Sequence, residues 1–121
     1  MKVGIVGSRR RNSEEDIHKV TEAFLNLKSE TTEEVSIISG GATKGGDRFA
    51  EIIACLYKIP IKIYYPDWDI YGKIAGFQRN TDIARESDIL IAVVHSDRKG
   101  GTEDTIRKFK KFHPNGEIIL V

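Results

Sequence analysis

Five short runs of aliphatic and β-branched residues punctuate the chain: Val3–Val6, Val35–Ile38, Ile61–Tyr65, Ile89–Val94 and Ile118–Val121. Each has the length and composition of a β-strand. The fourth, Ile-Leu-Ile-Ala-Val-Val, is apolar at every position, as a strand covered on both faces would be. Amphipathic stretches lie between the runs. Ile17, Val20, Phe24 and Leu27 recur at helical spacing behind Ser13 and Asp16, which fit a capping box. Phe49, Ile52, Ile53 and Leu56 mark a second helix, and Ile74, Phe77 and Ala84 a third over roughly Lys73–Glu86. Ile106, Phe109 and Phe112 mark a fourth, ended by Pro114–Gly116. Strand–helix alternation through five strands predicts a doubly wound, Rossmann-like α/β domain over residues 1–121. The expected sheet is parallel, in the order 3-2-1-4-5, with about four helices.

Composition narrows the class. The chain has 121 residues, enough for one self-sufficient core. Nineteen Lys and Arg against 18 Asp and Glu give a net charge of +1, which argues against strong non-specific nucleic-acid binding. The single cysteine, Cys55, has no intramolecular disulfide partner, and no Cys/His cluster suits zinc. No run reaches the roughly 20 apolar residues of a membrane span. The opening Met-Lys-Val-Gly-Ile-Val-Gly-Ser-Arg-Arg reads as a strand and a basic turn rather than a signal peptide. These features describe a soluble, cytoplasmic, reduced domain with no metal and no cofactor implied.

A doubly wound sheet binds ligands beyond the carboxyl ends of its strands, near the switch point. Those ends hold this chain's unusual residues. Ser39-Gly40-Gly41-Ala42-Thr43-Lys44-Gly45-Gly46-Asp47 joins a strand to a helix through four glycines. Glycines permit close backbone approach, and a helix N-terminus offers free N–H groups to a phosphate. Neither familiar phosphate-loop spacing is present, and a plain flexible turn is the competing reading. Asp47 would repel a phosphate; it either stabilises the helix N-terminus or accepts from sugar hydroxyls. In Gly7-Ser8-Arg9-Arg10-Arg11 the guanidinium nearest the strand end, Arg9, is the best phosphate fork.

The third loop, Tyr65–Lys73, concentrates aromatics around the only tryptophan. Trp68 could stack on a base, and Asp67 or Asp69 could accept from an amine or ribose hydroxyl; a hydrophobic lid over the sheet edge is the favoured alternative for Trp68. On the third helix, Gly76 suggests a close contact. Arg79 either pairs with Asp82 or aims at an anion. Gly100-Gly101-Thr102 repeats the phosphate logic, with Thr102 as cap or ligand. His95 has no identified partner, and three scattered histidines make no catalytic triad.

Taken in order, Gly7-Ser8-Arg9, Ser39-Gly40-Gly41-Ala42-x-x-Gly45-x-Asp47, Pro66-Asp67-Trp68, Gly72, Ala75-Gly76-x-x-Arg79-Asn80 and Gly101-Thr102 resemble the YspA/YpsA-related branch of the SLOG superfamily. That superfamily also contains the LOG phosphoribohydrolases and the DNA-processing protein DprA. None of the six pieces is specific alone; their order over nearly the full chain carries the resemblance. It implies a nucleotide or nucleotide-derived ligand across the strand ends, with both glycine loops and Arg79 nearest its phosphate and sugar. It also implies a homodimer.

The departures set the ranking. LOG enzymes carry an Arg-Lys pair and a Gly-Gly-x-Gly-Thr-x-x-Glu loop; Arg79-Asn80 matches only the arginine, and Thr105 stands where the glutamate would be. Cleaving an N-glycosidic bond needs a carboxylate, which Glu103 or Asp104 would supply only if the helix began differently. Arg79 and Glu103 are therefore the catalytic candidates of a secondary, hydrolase reading. Binding or sensing of a nucleotide derivative ranks first. Single-stranded DNA binding ranks third, because the balanced charge weakens it, although Lys108, Lys110 and Lys111 form a small basic face.

Overall fold

The structure is a computed structural model that describes all 121 residues. Its elements are β1 (Lys2–Gly7), α1 (Glu14–Ser29), β2 (Ser36–Ser39), α2 (Gly46–Tyr57), β3 (Ile61–Ile63), α3 (Trp68–Tyr71), a 3-10 turn (Gly72–Ile74), α4 (Ala75–Glu86), β4 (Ile89–Val93), α5 (Gly101–Phe112) and β5 (Ile118–Leu120). The five strands form one parallel sheet in the order β3-β2-β1-β4-β5, as the alternation predicts. Four long helices cover it, and α3 adds a single turn.

The period-two side-chain alternation sorts the core into two layers. Val3 and Ile5 of β1, Ile37 of β2, and Ile91 and Val93 of β4 pack with Val20, Phe24 and Leu27 of α1 and Phe49, Ala50 and Ile53 of α2. Val6, Ile38, Leu90 and Ala92 point the other way, onto Ile83 and Ala84 of α4 and Ile106 and Phe109 of α5. Leu90 to Val93 are all fully buried, so the uninterrupted apolar run of β4 does mark a strand covered on both sides. β1 and β4 pair through Val3↔Ile89 to Gly7↔Val93, and the loops leaving them turn to opposite faces. The crevice between those loops is the switch point of the fold.

Local signals account for most boundaries. Ser13 and Asp16 form the expected capping box, with the Ser13 hydroxyl accepting from Asp16 N at 3.1 Å. The third helix differs from its expected course. The chain makes α3 and a 3-10 turn before α4, and the buried stripe of α4 is Ala75, Asn80, Ile83 and Ala84. Ile74 and Phe77, expected in the core, are exposed. Small and polar residues occupy the true inward face, so the large apolar side chains misreported its phase. Leu56 and Phe112, also expected inward, are exposed as well; both sit in the last turns of their helices.

Two glycines have opposite environments. A Cβ on Gly46 would collide with the Gly7 nitrogen and the Val6 carbonyl, so α2 starts in direct backbone contact with the end of β1. Gly76, expected to permit a close contact, has nothing within 4 Å of where a Cβ would sit and opens onto a cavity. Gly46→Ala should therefore lower stability by about 1–3 kcal/mol or more, because rigid backbone cannot yield. Gly76→Ala should raise it by about 0.5–1 kcal/mol through helix propensity. Urea or thermal midpoints of the two variants must move in opposite directions.

Candidate functional site

The strand ends enclose a cleft with two lobes. An inner lobe of about 340 Å³ is lined by Gly7, Ser8, Arg9 and Arg10 after β1, Ala42 and Asp47 beside α2, Arg79 and Asn80 of α4, and Lys99–Thr102 with Thr105 at the start of α5. An outer lobe of about 680 Å³ continues past Gly40–Thr43 to Pro66, Trp68, Lys73, Gly76, Phe77 and Arg107. Arg9, Ala42, Arg79, Asn80, Gly100 and Gly101 belong to both. The two glycine loops and Arg79, predicted to share a site, are thus together.

Arg79 is held by its neighbours. Its Nε donates to Asn80 Oδ1 at 3.0 Å and its Nη1 to the Gly40 carbonyl at 2.5 Å, leaving Nη2 without a protein acceptor. Asp82, the alternative partner, takes Arg85 instead at 3.5 Å. A Cβ on Gly40 would stand 2.6 Å from Arg79 Nη1 and 2.9 Å from Asp47 Oδ2, so this glycine makes room for the guanidinium. Burial pushes the Arg79 guanidinium down from its ordinary value; the Asp47 carboxylate draws it back up, and the nearby Arg9 charge lowers it again. Two like charges thus face one space.

Asn80 fixes more than Arg79. It is buried, and its Nδ2 donates to the Gly101 carbonyl and to Asp104 Oδ2, both at 3.2 Å. This clamp joins α4 to the first turn of α5. That turn is capped by no side chain: Gly100 (φ 100°) is its N-cap, so the leading N–H groups of α5 have no side-chain acceptor. Thr102 lines the inner lobe without capping.

The loop before α2 is arranged differently from the phosphate cradle its glycines suggest. Gly45 (φ 76°) and Gly46 are buried against Ser8 and the end of β1, Gly45 N donates to Asn12 Oδ1 at 2.9 Å, and neither glycine lines the cleft. Gly41 (φ 77°) lies under the Tyr65 ring. Asp47 is buried and internally engaged. Its Oδ2 accepts from Ala42 N at 3.1 Å, and its Oδ1 lies 3.0 Å from the Ser39 hydroxyl, itself 2.9 Å from the Ile5 carbonyl. Asp47 therefore folds the loop onto the end of β2, while its position at the inner lobe also opposes Arg79.

The remaining predicted residues divide. Arg9 is exposed, lines both lobes and makes no hydrogen bond or ion pair. Trp68 is 60% exposed beside the outer lobe, not packed down as a lid. Asp67 caps α3, accepting from Ile70 N at 3.1 Å, and lies outside both lobes. Glu103 is paired with Arg98 at 2.9 Å and does not line the cleft. Thr105 does line it, with its hydroxyl donating to the Gly101 carbonyl at 3.1 Å. Asp104 is taken by Asn80 and by Lys108 at 2.9 Å. Lys73, Lys99 and Arg107 were not singled out by sequence; their only signal was their place near strand ends and helix starts.

The fold and cleft together define a doubly wound α/β domain with a cationic site at its switch point. Compared with protein-family models, curated proteins and solved structures, the chain matches none. No helix is long and apolar enough to cross a membrane.

The three arginines after β1 have separate fates. Arg9 faces the cleft, Arg10 pairs with Asp97 at 2.8 Å, and Arg11 pairs with Asp16 at 2.8 Å while its Nη1 donates to the carbonyls of Val94 and Val121. Burial pushes the Asp16 carboxyl up, but hydrogen bonds from Arg11 and Ser13 with the Arg11 charge outweigh it and hold it below its ordinary value. A depressed carboxyl stabilises above its unfolded value, about 3.9, and that contribution fades as pH falls through the folded one. Asp16→Ala should cost about 1–2 kcal/mol at pH 7. The gap from the parent should narrow as denaturation is repeated at pH values below about 4; a gap constant down to pH 2 would contradict this assignment.

Proposed function

We propose that this chain is a small cytoplasmic domain that binds or senses a nucleotide or nucleotide-derived ligand across its strand ends. The observation that carries the reading is Arg9, without any protein partner, lining the same lobes as Arg79, whose Nη2 is free, and the uncapped N-terminus of α5. Guanidinium donors and a helix N-terminus line a space there whose only carboxylate is Asp47. The ligand's phosphate is assigned to the inner lobe among Ser8, Arg9, Gly100, Gly101 and Thr102. Its ring is assigned to the exposed face of Trp68 in the outer lobe. The resemblance to SLOG domains supports the same ligand class.

Binding is favoured over cleavage by the state of the acids. Glu103 and Asp104 are engaged by cations, Thr105 offers only a hydroxyl, and Asp47 is tied to Ala42 N and the Ser39 hydroxyl. None stands ready to stabilise an oxocarbenium-like centre or to activate water. The DNA reading loses part of its basic face, because Lys108 is spent on Asp104 and the Phe77 carbonyl.

Thermal-shift and calorimetric titration with nucleotides, cyclic nucleotides and ADP-ribose derivatives tests the proposal. Phosphate-bearing compounds should raise the melting temperature with concentration, and matched nucleosides should not. Arg9→Ala should weaken binding about tenfold with little change in the unliganded melt, since Arg9 supports nothing else in the fold. A flat response across the panel would remove the reading. Free base released from a nucleoside monophosphate would instead promote the hydrolase.

A further inference from the structure

The cleft carries more unneutralised charge than one phosphate accounts for, and that charge is spread along its length. Arg10 is ion-paired with Asp97 at 2.8 Å and Arg107 with Asp104 at 3.4 Å, while Arg79 faces Asp47. Apart from Arg79, which feels the Asp47 charge without an ion pair, three lining cations have no ion-pair partner. Lys99 stands in the inner lobe, Arg9 at the junction and Lys73 in the outer lobe. No carboxylate lines the outer lobe at all. With a net charge of only +1 over the chain, this excess is local to the site.

An anion seated at the start of α5 meets Arg9 and Lys99, but Lys73 lines only the outer lobe. Building on the nucleotide reading, we infer that the ligand carries two phosphoryl groups, the second held in the outer lobe by Lys73. The outer volume of about 680 Å³ leaves space for that group beside a ring on Trp68. The ligand class is then a nucleoside diphosphate, and a simple monophosphate lacks the group that Lys73 holds.

Isothermal titration of the full chain with adenosine, guanosine and uridine 5′-monophosphates and their 5′-diphosphates, at fixed ionic strength, reads this directly. For the base that binds, the diphosphate should be about tenfold tighter than the monophosphate, the worth of one charge-assisted hydrogen bond. Lys73→Ala should bring that ratio toward one. Arg9→Ala should weaken both nucleotides together and keep the ratio. Lys73 is exposed and unpaired, so an unchanged melt of its variant separates lost binding from lost folding. Equal affinities in the parent protein, or a ratio that survives Lys73→Ala, would overturn the second subsite and leave the nucleotide reading standing. No binding by any of the six would overturn the second subsite, and a flat response to the cyclic nucleotides and ADP-ribose derivatives as well would overturn both.

Discussion

The structure depends on the need to cover both faces of its two central strands. β1 and β4 present apolar side chains alternately up and down, and neither face can be left to water. The only economical solution sends α1 and α2 to one side and α4 and α5 to the other. That division parts the loops after β1 and β4 and opens a crevice between them. The crevice is thus a consequence of core burial, and any chemistry in it is placed on backbone the core already holds rigid.

Close backbone packing then decides which donors reach the crevice. α2 abuts the end of β1 through Gly46 and Gly7, and its N-terminus is closed off by Ser8 and Asn12. α5 starts from Gly100, with nothing against it, and stays open. Two loops that look alike in sequence, each a glycine pair before a helix, therefore do opposite things. One uses the absence of a side chain to pack, the other to leave space.

This contrast marks how far sequence could be read. The sheet order, the capping box at Ser13 and the doubly covered β4 were legible because they rest on periodicity and local chemistry that propagate over many residues. The convergence of Arg9, Arg79, Gly40 and Gly100 at the strand ends was legible because parallel topology puts those ends together. The inward face of α4 was legible only at Ala84, since Ala75 and Asn80 carry weak signals beside the conspicuous Ile74 and Phe77. The Asn80 clamp was not legible, nor was the partition of Arg9, Arg10 and Arg11 among the cleft, Asp97 and Asp16. Side-chain pairing between distant segments leaves no period in the chain.

The clamp also explains how a charged site is held in shape by the protein's own groups. Arg79 loses hydration and faces the Arg9 charge, both unfavourable to it. The Asp47 charge, the Gly40 carbonyl and Asn80 offset that cost, the last two by accepting from Nη1 and Nε and leaving Nη2 without a protein acceptor. Asn80 is in turn fixed by Gly101 and Asp104, so the guanidinium and the open end of α5 are parts of one hydrogen-bonded unit. Arg79 has thus lost its freedom during folding, whereas Arg9, exposed and without a hydrogen bond, keeps its own. Under the proposed reading an anion would meet one held guanidinium and one free one, and only the first would contribute preorganised affinity.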